Sequence, residues 1–173
     1  MTAESHELKP LEPPDRFHWL AAQGWLELGD HREAIGELEK LSPSLSSHPD
    51  VLETRWQICA RQGQWEAALD IASSLTDVKP EHPVAWIHQS FALHELKRTR
   101  EARENLSRVI DQFPEDETMR YNLACYECQL GNLSGAMKWL GKALELGDRQ
   151  QILRMAMDDS DLKPLRSEIE KLR

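Results

Sequence analysis

The stretch Leu28-Gly29-Asp30-His31-Arg32-Glu33-Ala34-Ile35 decides the reading of this chain, because it comes back. Thirty-four residues later stands Gln62-Gly63-Gln64-Trp65-Glu66-Ala67-Ala68-Leu69. The same step gives Leu96-Lys97-Arg98-Thr99-Arg100-Glu101-Ala102-Arg103, and again Leu130-Gly131-Asn132-Leu133-Ser134-Gly135-Ala136-Met137. Ala34, Ala68, Ala102 and Ala136 keep one spacing without insertion, and so do Gly29, Gly63 and Gly131, with Lys97 in the third place. A fixed period of this length is the mark of a helical or mixed repeat array.

Each repeat reads as two helices. Apolar residues at helical spacing precede the glycine, as in Phe17, Leu20, Ala21 and Leu28, or Trp86, Phe91, Ala92, Leu93 and Leu96. Glycine ends that helix, since it takes the left-handed conformation without a Cβ penalty. A second apolar series follows: Ala102, Leu106, Val109 and Ile110, or Ala136, Leu140, Ala143 and Leu144. Pro80 and Pro114 close second helices at equivalent positions, Ser42-Pro43 breaks the first repeat earlier, and Gly147 ends the fourth.

The pattern resembles the tetratricopeptide repeat, a thirty-four-residue helix-turn-helix unit. Ala34/Leu38, Ala102/Leu106 and Ala136/Leu140 match the family's small-then-large second-helix motif. Pro80 and Pro114 match its closing proline, Trp86 its leading tryptophan, and Ala22, Ser90 and Ala124 its small first-helix position. The resemblance covers residues 15–147 and implies an all-α fold, a right-handed superhelix of four helix-turn-helix repeats with C-terminal capping helices. The organisation expected is a flexible tail over 1–14, repeats at about 15–48, 49–82, 83–116 and 117–147, and a cap over 148–173. In the second repeat Trp56 holds the small position and Ala72 the large one, a swap that roughly conserves volume.

The cap is legible as a change of pattern. Ile152, Leu153, Ala156 and Met157 are helically spaced, and Asp158-Asp159-Ser160-Asp161 then offers N-cap side chains to a last helix carrying Leu162, Leu165, Ile169 and Leu172. Pro164 falls in that helix's first turn, where proline is tolerated.

Composition narrows the function. The 173 residues are 40% hydrophobic and 29% charged, a globular balance with material for a core. A net charge of -9 argues against a nucleic-acid backbone as partner. No apolar run is long enough for a membrane span, the N-terminus has no signal-peptide pattern, and three cysteines make no disulfide framework. A cytoplasmic protein with reduced thiols is expected.

The resemblance implies that first helices line a concave groove that binds a protein or peptide segment. The groove positions carried onto this sequence include Trp19 and Gln23, then Glu53 and Gln57, then Ile87, His88, Phe91 and His94, then Tyr121, Asn122 and Cys125. Family members that grip acidic chaperone tails use lysine, asparagine and arginine there. Glu53, Gln57, His88, Thr118 and Asn122 do not make that clamp. What remains is an aromatic and amide surface suited to a segment with apolar anchors, and Asp50 with Glu53 favours a basic residue in it.

The expectation is therefore a non-catalytic interaction scaffold without a cofactor, whose partner is a protein and not nucleic acid or membrane. A secretion-type or assembly chaperone would have the same groove. A third reading starts from Cys125-Tyr126-Glu127-Cys128, whose spacing puts both thiols on one helix face, with His94 at the same repeat position as Cys128. Three such ligands suit zinc, but the chain has no second C-x-x-C and no strand-to-helix redox setting.

Overall fold

A computed structural model describes residues 10–172. Ten α-helices follow one another among them, with no strand. They are α1 (Asp15–Glu27), α2 (His31–Leu38), α3 (Pro49–Arg61), α4 (Trp65–Val78), α5 (Pro83–Glu95), α6 (Thr99–Val109), α7 (Glu117–Gln129), α8 (Leu133–Leu146), α9 (Arg149–Asp158) and α10 (Arg166–Glu170). The first residues of α1, α3, α5 and α7 stand at one constant step, the sequence period made physical.

The turn inside each pair is the same object four times. Gly29 N–H donates to the Leu26 carbonyl and Asp30 N–H to Trp25, the paired bonds of a Schellman ending. Gly63 and Gln64, Lys97 and Arg98, and Gly131 and Asn132 repeat both bonds. The three glycines have φ of 81°, 68° and 83°, and Lys97 has 63°. Two of the second helices start on side-chain caps: Asp30 accepts from Glu33 N–H and Asn132 from Gly135 N–H, whereas α6 starts at Arg98 without one. Pro49 and Pro83 sit in the first turns of α3 and α5, where the missing N–H costs nothing.

The chain forms two compact units, divided between Val78 and Lys79. In the N-terminal unit α1, α2 and α3 pack around Ala22, Leu26, Ala34, Leu38, Val51 and Ile58, all buried, and α4 packs on α3. Leu11 joins this core, so packing begins before the first helix, inside the span expected as a tail; residues 1–9 of that span lie outside the described residues. His18 on α1 hydrogen-bonds through Nδ1 to Glu37 Oε2 at 2.8 Å. That bond and one from Lys40 hold the Glu37 carboxyl below its usual range, Lys40 having the larger effect. Trp56 and Ala72 are both buried, in α3 and α4.

In the C-terminal unit α5 and α6 pack together, α7 contacts both, α8 packs on α7, and α9 and α10 finish the array. Leu106, Met119, Leu123, Leu140 and Leu153 are fully enclosed. Burying each is worth about 1.5–3 kcal/mol. Tyr126 is enclosed too, and its hydroxyl meets Ser90 Oγ at 3.3 Å. The small residue on α5 leaves room for that ring. Glu127, also buried, is answered by Asn132 Nδ2 at 2.8 Å and by Arg103 at 3.7 Å.

The end of the chain departs from expectation. The last apolar stripe forms a 3-10 turn (Lys163–Leu165) that runs into the short α10, and Pro164 lies in that turn. Neither carries a side-chain cap, because their N-cap positions hold Leu162 and Leu165. Leu162, Leu165 and Ile169 are buried as the stripe requires. No helix of the described residues is long and apolar enough to cross a membrane.

Candidate functional site

The C-terminal unit encloses a cavity of about 390 Å³ between α5, α7, α9 and the turn after α9. That volume is in the range of small-molecule and side-chain pockets. Phe91 and His94 come from α5, and Tyr121, Asn122, Cys125 and Tyr126 from α7. These positions share a face because they are separated by three or four residues on each helix. The opposing wall is Gln151, Ile152 and Met155 of α9, followed by Asp159 and Asp161.

Two aspartates fasten the turn to the helices. Tyr121 donates its hydroxyl to Asp159 Oδ2 at 2.9 Å, and the Cys125 thiol donates to the same oxygen at 3.5 Å. Asp159 Oδ1 accepts the Asp161 N–H at 2.8 Å, which folds the turn on itself. Asp161 Oδ2 lies 2.8 Å from His94 Nε2, while His94 Nδ1 meets the Thr99 hydroxyl at 2.9 Å. The His94 ring also packs on Tyr126, with centroids 5.0 Å apart. Gln129 Nε2 reaches the Asp161 carbonyl at 2.9 Å.

Burial first, then neighbouring groups that include the Asp159 carboxylate, pushes the Tyr121 hydroxyl far above its ordinary value. Burial and the carboxylates of Asp159 and Asp161 do the same to the Cys125 thiol, and burial raises Cys128 as well. A thiol so placed stays protonated at neutral pH, and the nucleophile and metal ligand is the thiolate. Cys125 is therefore a hydrogen-bond donor in this setting.

The residues expected at the groove divide into three groups. Phe91, His94, Tyr121, Asn122 and Cys125 come together in the cavity. Ile87 and His88 are half-buried on α5 and do not line it. In the N-terminal unit Trp19 is tied down: its indole N–H donates to the Thr54 hydroxyl at 3.0 Å and the Asp50 carbonyl at 3.2 Å. Gln57 Nε2 donates to Glu53 Oε1 at 3.1 Å, and Gln23 is half-buried on α1.

The zinc trio did not assemble. Among the described residues, the set of metal-ligating side chains whose donor atoms converge within 4.8 Å is Cys125, Asp159 and Asp161, without Cys128 or His94. Asp159 and Asp161 are what sequence reasoning missed. The run of acidic residues was visible, but its reach back to α5 and α7 spans 67 and 38 residues of chain.

No family model matches this sequence, and neither does any curated protein. Solved structures do match. The chain is similar to residues 41 to the end of MamA from Desulfovibrio magneticus RS-1, at 19% identity and a TM-score of 0.70, covering 94% of both chains. It is similar to TTC0263, a thermophilic tetratricopeptide protein of Thermus thermophilus, at 18% identity and a TM-score of 0.70, covering 90% of this chain and 82% of that one. It also matches a chain of the Cut9–Hcn1 hetero-tetramer of the APC/C, at 12% identity and a TM-score of 0.68, over 88% of this chain and 29% of that one. At these identities the likeness shows the fold: this is a tetratricopeptide-type helical repeat.

Proposed function

We propose that the chain is a non-catalytic binding module that holds a segment of another protein in the cavity between α5, α7 and α9. One observation carries this reading: five residues assigned to a groove on sequence grounds line a single cavity with an apolar α9 wall. The cavity offers an amide at Asn122 and another at Gln151 to a partner's backbone, beside Phe91, Ile152 and Met155 for its side chains. The protonated thiol supports a binding role over thiol chemistry. Assembly is also the setting of the Cut9–Hcn1 neighbour, a hetero-tetramer.

The test is selection of a displayed random-peptide library on the full chain, followed by titration of the selected peptides. Asn122→Trp fills the cavity from a half-buried position. It should weaken selected peptides by about tenfold or more, equivalent to about 1.4 kcal/mol, while the helical circular dichroism stays unchanged. Peptides that bind the folded Asn122→Trp variant as well as the parent would sink the reading.

A further inference from the structure

The cavity's charge is one-sided. Its lining includes Glu117, Asp148, Asp159 and Asp161 and neither a lysine nor an arginine. His94 is the one basic side chain there, and it is already turned to Asp161. Among the described residues, no lysine or arginine forms an ion pair with any of the four carboxylates. Glu117 and Asp148 are exposed at the rim, and Asp159 and Asp161 are half-buried deeper in.

Asp159 and Asp161, half-buried with oxygens within 4.8 Å of each other, repel one another, and Glu117 and Asp148 add a solvent-screened negative rim. Phe91, Ile152 and Met155 stand beside them, and Met155 is 48% exposed. An apolar wall next to carboxylates fits a side chain with a methylene stem and a cationic head. A bare metal ion fits less well: it would use only the carboxylate end, and its third candidate ligand is the protonated Cys125.

Resting on the reading of the cavity as a protein-binding site, we infer that its ligand is a segment that inserts one basic side chain. Arginine suits the inner end better than lysine. Asp159 and Asp161 present oxygens within 4.8 Å of each other, and a planar guanidinium can donate to both at once. The stem lies along Met155 and Ile152, and Glu117 and Asp148 draw the positive charge in. The chain's net charge of -9 adds long-range attraction for a basic partner.

The experiment uses the same displayed library on the full chain, with selected peptides titrated against two proteins. One is the parent and the other carries Glu117→Gln with Asp148→Asn. The asparagine keeps the oxygen that caps α9, where Asp148 Oδ1 accepts Gln151 N–H at 3.0 Å. Selected peptides are expected to share an arginine or lysine. Replacing it with glutamine should weaken binding by about tenfold or more. The double variant should weaken the basic peptide similarly, leave the glutamine peptide unchanged, and reduce the salt dependence.

Attachment to a photo-crosslinker placed at Met155 separates the two failures. Peptides that crosslink there, lose affinity with Asn122→Trp and carry no basic residue overturn the basic anchor while the cavity reading stands. Peptides that neither crosslink nor respond to Asn122→Trp, or a library that yields none, overturn both. Zinc alone binding at micromolar concentration and lost with Cys125→Ser, with no basic peptide selected, also overturns the inference.

Discussion

Trp19 and Tyr121 occupy the same place in the first and fourth repeats, and each spends its polar tip on a different kind of neighbour. Trp19 on α1 donates to Thr54 and to the Asp50 carbonyl, both on α3, the first helix of the next repeat. Tyr121 on α7 has no further repeat to meet, and its hydroxyl goes to Asp159 beyond α9. Between the first two repeats, then, the later helix answers the polar tip of the earlier one. At the array's end that work falls to a carboxylate on a turn, which brings negative charge and leaves a cavity. At this position the N-terminal unit closes with neutral bonds to Thr54 and the Asp50 carbonyl, and the C-terminal unit with the Asp159 carboxylate. On the binding role proposed above, the difference marks where a ligand enters.

The packing pairs give the largest effect that can break this comparison. Ala22 with Leu38, Ser90 with Leu106 and Ala124 with Leu140 are small-large pairs at matching repeat positions, and all six residues are buried. Trp56 with Ala72 reverses the order. Trp56→Ala leaves two small residues and should cost about 3–5 kcal/mol, read by urea denaturation. Adding Ala72→Leu should recover more than half of the loss. No recovery would mean that the indole fills some other space, and the two units would then differ in packing as well as in closure.

Alkaline pH should separate the units next. Both tyrosines of the chain and two of its three cysteines lie in the C-terminal unit. Tyr121, Tyr126, Cys125 and Cys128 all have raised folded values, burial being the first cause in each. The unfolded chain therefore releases these protons first. Their contribution to stability is whole below the unfolded values, about 8.5 for a thiol and about 10 for a tyrosine, and falls as pH rises. Each group adds a slope of up to about 1.4 kcal/mol per pH unit. Denaturation midpoints should be level near neutrality and drop above about pH 8.5. Hydrogen exchange should place the loss in α7 and α9 before α1 and α3; equal loss in both units would contradict this.

Removing the closing carboxylate is a smaller, sharper cut. Asp159→Ala deprives the Tyr121 hydroxyl, the Cys125 thiol and the Asp161 N–H of their acceptor. The expected cost is about 1–3 kcal/mol, measured by thermal denaturation. Asp159→Asn keeps a carbonyl oxygen and should lose less than the alanine variant. An asparagine variant no better than alanine would show that the charge itself, and not the acceptor, holds the turn.

The sequence declared the fold more openly than the site. Helix pairs, their glycine endings and the reversed pair at Trp56 and Ala72 follow from local pattern, since a period repeats the same short-range forces four times. Phe91, Tyr121 and Cys125 were legible for the same reason, as places in a register. Asp159 and Asp161 were not, because a cap has no register. Their run looked like helix capping, and only the fold shows that the side chains turn back to Tyr121 and His94. The likeness of Trp19 to Tyr121 ends at the register: the first donates to the next first helix and the second to the turn after α9, beside the cavity.

The smallest effect tests the register itself. Lys97 stands where the other three repeats have glycine, and its φ of 63° is left-handed like theirs. A residue with a Cβ meets steric cost there that glycine avoids, roughly 1 kcal/mol. Lys97→Gly should therefore stabilise the chain by somewhat less, about 0.5–1 kcal/mol, because glycine also makes the unfolded chain freer. The reciprocal change, Gly63→Ala at φ 68°, should destabilise by a similar amount. Thermal midpoints of the two variants should move in opposite directions. If Lys97→Gly instead lowered the midpoint, the lysine side chain would be contributing something at that turn, and the third repeat would not be a plain member of the register.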